Sequence, residues 1–193
     1  EKVNIVFVLD ATSSMRPYYK SIAKSLERVI DNNQKIIKSS LKVGVVIYRD
    51  YLDGKDSYNV FNLSTDYNKV KEFINSTKCQ SKDSDLPEAQ YNGLINGLQE
   101  VGFKEDESNI VVLVGDCGNH LVDLKGYKLK QITDIYDKYE CNIISFQVDS
   151  RYNYTYFKFN KDVLNSVSST AKNRVKGSGV NARFKSGKNI IKL

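Results

Sequence analysis

The first apolar segment of the chain limits the fold more than any other feature of the sequence. Val3-Asn4-Ile5-Val6-Phe7-Val8-Leu9 is almost continuously apolar and rich in β-branched residues. Such a run is typical of a central parallel strand that is buried on both faces. Parallel neighbours need crossover connections, which are usually helices, and the segment from Tyr18 to Ile37 follows with apolar residues at helical spacing. The start of the chain therefore predicts a strand, a polar loop and a helix.

The rest of the chain repeats this alternation. Strands are predicted over 41–48, 58–63, 110–114 and 142–148, and helices over 66–75, from Pro87, and over 127–139. A turn-rich segment separates the second and third strands, so this pair could be a hairpin with an antiparallel strand at the sheet edge. A further helix is expected around Val163 and Val167, and segment 177–193 is expected to be a C-terminal tail or edge hairpin.

This order of elements predicts an α/β fold. The expected architecture is three-layer, doubly wound and Rossmann-like, with a mostly parallel central sheet, helices on both faces and one antiparallel edge strand. In such sheets ligands bind at the carboxyl ends of the strands. The loops that follow the strands are therefore the places to look for a functional site.

Length and composition favour a single folded domain over residues 1–193. Hydrophobic residues make up 40% of the chain and charged residues 27%, which suffices for one core. No apolar run approaches the roughly 20 residues that cross a bilayer, so no membrane span is expected. The net charge of +6 is spread along the chain without a nucleic-acid motif, so nucleic acid is not an expected partner. Three irregularly spaced cysteines imply neither a disulfide framework nor a zinc site.

Oxygen-bearing side chains follow the predicted strands. Asp10, Thr12 and Ser14 alternate in the loop after the first strand, so a carboxylate and two hydroxyls can converge on one point. Asp116 follows the strand 110–114, and Asp85 lies in the loop before the helix at Pro87. Hard oxygen donors suit a small hard cation, Mg²⁺ in particular, with Ca²⁺ or Mn²⁺ as alternatives. These five residues are the predicted metal ligands.

With these motifs the sequence resembles the von Willebrand factor A (VWA) domains, whose metal-ion-dependent adhesion site begins with Asp-x-Ser/Thr-x-Ser after the first strand. Further similarity to the hemicentin-type and related bacterial branch lies in Tyr48-Arg49-Asp50, in Asp85-Leu86-Pro87-Glu88 with Gly93-Leu94 behind it, and in Gly115-Asp116 through His120. The resemblance is strongest over residues 3–148. It implies a VWA-like domain that holds a protein partner through a divalent cation, within a larger protein or complex.

One position departs from the family pattern. Many VWA domains place a metal-binding threonine in the second loop, whereas this chain offers Asp85 before Pro87. If Asp10, Asp85 and Asp116 all lie near one divalent cation, the local formal charge is −1, which weakens the attraction for an acidic side chain. The partner's ligand therefore need not be a carboxylate.

The predicted ligands also have ordinary structural roles as alternatives. Hydroxyl residues before a helix are good N-caps, so Thr12 and Ser14 by themselves would suggest a helix cap. The presence of Asp10 and Asp116 at the same edge favours metal ligation. Asp85 could either cap the next helix or bind the metal, with Asp83 as its substitute.

Three residues are predicted at the partner-binding edge: Asp50, Asp83 and His120. Asp50 could instead be a solvated turn residue. His120 is the only histidine of the chain, and a hydrogen bond that orders its loop is a more ordinary role than chemistry.

Three functions fit the sequence. The favoured one is a metal-dependent protein-binding module for adhesion or assembly, which is not an enzyme and acts outside the cytoplasm or at the cell surface. The second is a Mg²⁺-dependent phosphatase-like α/β hydrolase with Asp10 as the nucleophile, but Thr12 stands where such enzymes use a second acid. The third is a structural assembly domain whose metal only stabilises the fold.

Overall fold

The computed structural model describes residues 2–37, 40–82 and 88–148, together with 155, 158, 175–176 and 182–183. Its elements in chain order are β1 (Val3–Asp10), α1 (Arg16–Ile37), β2 (Leu41–Tyr48), β3 (Tyr58–Ser64), α2 (Tyr67–Ser76), α3 (Gln90–Glu100), β4 (Ser108–Gly115), α4 (Leu129–Lys138), β5 (Asn142–Gln147), β6 (Val175–Lys176) and β7 (Ala182–Arg183). Two 3-10 turns, Ser13–Met15 and Tyr51–Asp56, follow β1 and β2.

The strands form one sheet in the order β3-β2-β1-β4-β5-β6, with β7 also paired to β5. β1 pairs in parallel with β2 from Val3↔Leu41 to Asp10↔Tyr48, and in parallel with β4 on its other side. β3 is antiparallel to β2 and forms an edge of the sheet. The predicted α/β class, its mostly parallel sheet and its antiparallel edge strand are confirmed.

Each face of the sheet carries its own apolar core, which explains the double-sided apolar run of β1. Phe7 and Leu9 pack with residues of α1 and α2 on one face. Val6 and Val8 pack with residues of α3 and α4 on the other face. Because successive side chains of a strand point to opposite faces, an uninterrupted apolar strand requires helices on both sides.

Helix α3 lies unusually close to β2. A Cβ atom added to Gly97 would come within 2.3 Å of Val46 Cγ1, and one added to Gly93 within 2.4 Å of Tyr48 Cβ. Glycine at these two positions is therefore required by the distance between the helix and the sheet. This packing fixes where the start of α3 lies relative to the ends of β1 and β2.

The predicted start of α3 at Pro87 is wrong, because the helix begins at Gln90. Glu88 instead forms an isolated parallel bridge with Asn119. Its N–H donates to the carbonyl oxygen of Gly118 at 3.2 Å, and its carbonyl oxygen accepts from the N–H of His120 at 3.1 Å. These two bonds hold the backbone extended, so the helix cannot include Glu88.

Some sequence predictions fall on parts of the chain that the structure does not describe. The helix expected around Val163 and Val167 lies outside the described residues. Of segment 177–193, only Ala182–Arg183 is described, as a two-residue strand. In the described part of the chain, no helix combines the length and apolar character that a bilayer crossing requires.

Candidate metal centre

Three of the predicted ligands lie in one turn at the end of β1. Asp10 is fully buried, and its Oδ1 accepts hydrogen bonds from the N–H and the hydroxyl of Thr12, at 2.9 and 2.6 Å. The Thr12 hydroxyl is 3.3 Å from the Ser14 hydroxyl. The turn therefore brings one carboxylate and two hydroxyls together, as the spacing predicts.

Helix capping does not account for Thr12. It is the N-cap residue of the 3-10 turn Ser13–Met15, but its side chain makes no capping hydrogen bond. An N-cap side chain stabilises a helix by accepting a hydrogen bond from an N–H of the first turn. The Thr12 hydroxyl instead donates to Asp10. The geometry supports a role within the polar cluster.

Buried carboxylate oxygens without partners mark the centre of this site. Asp116 follows the last residue of β4 and is fully buried, and neither of its oxygens has a hydrogen-bond partner. Oδ2 of Asp10 is also buried and without a partner. Burying an ionised carboxylate without compensation is very costly, so unpartnered carboxylate oxygens call for an explanation. A cation bound at the strand ends would supply one.

Glu88 belongs to the same cluster, and the sequence analysis missed it as a site residue. Its bridge to Asn119 places it beside the loop that follows Asp116, and it is 3% exposed. Burial raises the pKa of Glu88 to about 10, and the negative charges of Asp10, Asp50 and Asp116 raise it too. A helix that began at Pro87 would include Glu88, so the sequence pattern did not indicate a buried site residue. The only signal for such a role was an acidic residue in the segment that also carries Asp83 and Asp85.

The same repulsion acts on Asp10. Burial raises its pKa well above 3.8, and the charge of Asp116 adds to this, while hydrogen bonds from Thr12 lower it. Asp10, Glu88 and Asp116 thus form a buried group of acids in which the ionised forms of Asp10 and Glu88 are destabilised. Such a group favours either protonation or a bound cation.

We expect the metal-free domain to lose stability as the pH rises between about 4.5 and about 10, the ordinary and folded pKa values of Glu88. In this window folded Glu88 keeps a proton that the unfolded chain has released, so higher pH favours unfolding. Glu88→Gln should flatten this decline, whereas Glu72→Gln on the exposed face of α2 should not. Urea denaturation in EDTA across the window measures it, and parallel profiles for wild type and Glu88→Gln would contradict it.

Asp50 and His120, two of the predicted partner-binding residues, lie together at the rim. His120 Nε2 is 2.9 Å from Asp50 Oδ2. The other oxygen of Asp50 accepts from the N–H of Tyr51, and the His120 ring stacks on the ring of Tyr51, with centroids 6.4 Å apart. The pair therefore joins the loop after β2 to the loop after β4, which is the loop-ordering role considered for His120.

The loop after β4 is also held by Asn119 and Asp123. Asn119 accepts a hydrogen bond from the N–H of Tyr91 at 2.8 Å, which satisfies a free donor in the first turn of α3. Both oxygens of Asp123 accept from the hydroxyl of Tyr51 at 2.9 Å, and one also accepts from the N–H of Lys125. The loop is thus anchored to α3 and to the loop after β2.

The donor set fits a hard divalent cation. Within the described residues, no three Asp, Glu, His or Cys side chains are grouped closely enough to hold a metal ion unaided. Mg²⁺ commonly uses one or two carboxylates and keeps several waters, which agrees with Asp10 and Asp116 supplemented by hydroxyls. Asp83 and Asp85 lie outside the described residues, and their roles stay predictions.

A Rossmann-like sheet with an Asp-x-Thr-x-Ser turn after its first strand and an aspartate after its fourth defines the class of VWA domains. The family model described as "TssR protein VWA domain" matches residues 1–182. The chain belongs to this family, and the resemblance noted in the sequence is confirmed. No curated protein matches the chain.

The solved structures that share the fold include the following two. One is the pilus adhesin SpaC from Lactobacillus rhamnosus GG in an open conformation, with a TM-score of 0.61 and 13% identity over 88% of this chain. The other is the proximal thread matrix protein 1 from the mussel byssus, described with a zinc-occupied MIDAS motif, with a TM-score of 0.62 and 16% identity over 96% of this chain. This chain covers 27% of the first protein and 41% of the second.

Proposed function

We propose that this domain is a metal-dependent protein-binding module. The observation that carries the proposal is the set of buried, unpartnered carboxylate oxygens of Asp10 and Asp116 at the strand ends. Asp10, Thr12, Ser14 and Asp116 would hold the cation, with Asp85 as a further ligand. The cation, Mg²⁺ in the first place and Ca²⁺ or Mn²⁺ as alternatives, would accept an oxygen from the partner at a remaining coordination position. The mussel protein with its zinc-occupied motif supports a divalent cation at this place.

The surface beside the site supports a protein partner. Leu121, Val122 and Leu124, in the loop after β4, are 80%, 80% and 71% exposed. Large apolar side chains exposed together on one loop are typical of a protein-binding surface. Asp123 lies among them, buried and fully engaged in hydrogen bonds. The loop thus presents its apolar side chains from a fixed backbone, which lowers the entropic cost of binding.

The charge of the site bears on the partner's ligand. When they bind the cation, Asp10, Asp116 and the predicted ligand Asp85 bring three negative charges against its two positive ones. The cation's charge is thereby offset by the protein's own carboxylates, so an uncharged oxygen from the partner suits the metal better than a carboxylate does. The domain would act as part of a larger protein or complex, outside the cytoplasm or at the cell surface, without catalysis.

The test is a pull-down of partners by the immobilised domain from an extract of the source cells, in Mg²⁺ and in EDTA. Wild type and Asp134→Asn, which changes an exposed aspartate of α4, should retain the same protein in Mg²⁺ only, and Asp116→Asn should retain it in neither buffer. A partner that Asp116→Asn retains would mean that the metal only stabilises the fold. Mg²⁺-dependent hydrolysis of a chromogenic phosphate ester, lost in Asp10→Asn, would favour the phosphatase alternative instead.

A further inference from the structure

A cleft with a positively charged rim lies between the first turns of α1 and the segment that follows α2. Its volume is about 580 Å³. Arg16, Lys20 and Lys78 supply three cations to its lining, and none of the described residues that line it is a carboxylate. Tyr19 and Ala23, both largely buried, add an apolar floor. The cleft therefore combines positive charge with apolar surface.

The three cations of this cleft have no acidic partner among the described residues. Other lysines of the same region are paired: Lys69 with Asp66, and Lys71 with Asp31. Arg16, Lys20 and Lys78 form no ion pair with any carboxylate in the described ranges. One carboxylate lies at the end of the cleft, where Glu27 Oε1 accepts a hydrogen bond from the side-chain amide of Asn75 at 2.7 Å. The three cations outnumber it, so their combined field favours an anionic ligand.

The cleft is held in place next to the candidate metal centre. The guanidinium of Arg49, a buried residue, donates to the carbonyl oxygen of Lys78 at 2.8 Å. The N–H of Gln80 donates to the carbonyl oxygen of Ala11 at 2.9 Å. These bonds tie the cleft wall to β2 and to the turn that carries Thr12 and Ser14, so the cleft opens beside that turn.

We infer that this cleft binds an acidic segment of a partner protein. A volume of about 580 Å³ lies in the range of known ligand-binding pockets. The apolar floor suits the aliphatic part of glutamate side chains. The acidic residues at the candidate metal centre, Asp10 and Asp116 among them, repel a partner's carboxylates, whereas the cleft attracts them. The inference rests on the proposed function in one respect, that the ligand is a partner protein. It gives that partner a second contact with the domain, which does not require a metal.

The experiment measures the fluorescence anisotropy of a labelled hexaglutamate peptide in EDTA at physiological ionic strength. Wild type should bind it, and Lys20→Glu/Lys78→Glu should weaken binding at least about tenfold, because attraction becomes repulsion at two positions. The matched control is Lys35→Glu/Lys104→Glu, which changes one exposed lysine in the last turn of α1 and another before β4, away from the cleft lining, and makes the same change in net charge. It should stay within about twofold of wild type. Arg16 is left unchanged because it lies two residues from Ser14.

Three results would overturn the inference: no binding of hexaglutamate to wild type, an equal loss in both double variants, or displacement of the peptide by an equimolar amount of inorganic phosphate. The last would show a site for small oxyanions. Because EDTA is present throughout, the outcome is separate from the metal proposal. If the domain binds hexaglutamate but captures no partner protein in a metal-dependent manner, the inference about the cleft is supported and the proposed function is wrong.

Discussion

Mg²⁺ at about 100 times its dissociation constant is expected to stabilise the wild-type domain by about 2.7 kcal/mol, which raises Tm by roughly 5–11 °C. Asp116→Asn is expected to abolish this shift. Both oxygens of Asp116 are buried without hydrogen-bond partners, so the cation would relieve the unfavourable burial of the carboxylate, and an amide would bind it far less well. Differential scanning fluorimetry against Mg²⁺ concentration measures the shift, with Asp134→Asn as the control that keeps it.

Asp116→Asn has a second expected effect, which shows whether the variant has lost Mg²⁺ binding because it is misfolded. In EDTA, Asp116→Asn should unfold at a Tm equal to or above that of wild type, because it removes one charge from a buried group of acids. An Asp116→Asn domain that still shifts with Mg²⁺ as wild type does would place the cation elsewhere. A wild-type domain that shows no shift with Mg²⁺, Ca²⁺ or Mn²⁺ would remove the metal from the proposed function.

The second large effect concerns the contact between α3 and β2. Gly97→Ala should destabilise the domain by about 1–3 kcal/mol through overpacking, although alanine favours an isolated helix by roughly 1 kcal/mol over glycine. The added Cβ would meet Val46 Cγ1 at 2.3 Å and Val46 Cγ2 at 2.8 Å. Val46 is fully buried, and rotation of its side chain would bring one methyl group or the other toward the new atom. The helix would have to move away from the sheet.

A double-mutant cycle separates this contact from other causes. Val46→Ala alone creates a small cavity, but combined with Gly97→Ala it should cost less than the sum of the two changes, with a coupling energy of about 0.5–3 kcal/mol. Gln99→Ala, on the exposed side of α3, should change the stability by no more than about 0.5 kcal/mol. Urea denaturation measures the wild type and these four variants. Additive effects of Gly97→Ala and Val46→Ala would contradict the close packing.

The two predictions bear on one feature of the molecule. α3 lies close to β2 because of its glycines, and the residues just before it pair with the loop after Asp116. Glu88 is thereby carried to the buried acids at the ends of β1 and β4. A shift of α3 in Gly97→Ala should therefore also weaken Mg²⁺ binding, and the fluorimetric titration of that variant measures it.

The metal edge and the charged cleft would together sort partners by charge. Buried acids surround the place of the cation, whereas three cations without an ion-pair partner among the described residues line the cleft beside it. A partner that presents a neutral oxygen to the metal and a nearby acidic segment to the cleft fits both. The two contacts would reinforce each other, because the second forms within a complex that the first already holds together.

Local patterns determined much of this protein. A strand that is apolar on both faces must be covered by helices on both sides, so Val3 to Leu9 was enough to predict the layers of the fold. The convergence of Asp10, Thr12 and Ser14 is a property of one short turn, and neighbours that close in sequence are close in space under any tertiary arrangement. The position of Asp116 at the same edge followed from parallel strand order alone.

Contacts between distant segments had to be decided by the tertiary structure. Glu88 joins the site because its backbone pairs with Asn119, and this long-range pairing replaces the helical turn that its local sequence favours. Asp50 meets His120 only because the sheet places the loops after β2 and β4 side by side. Lys20 and Lys78 line one cleft only because α1 packs against α2. A pattern along the chain shows which residues carry charge, but the burial and the neighbours that set their pKa values and binding properties arise only when the elements pack.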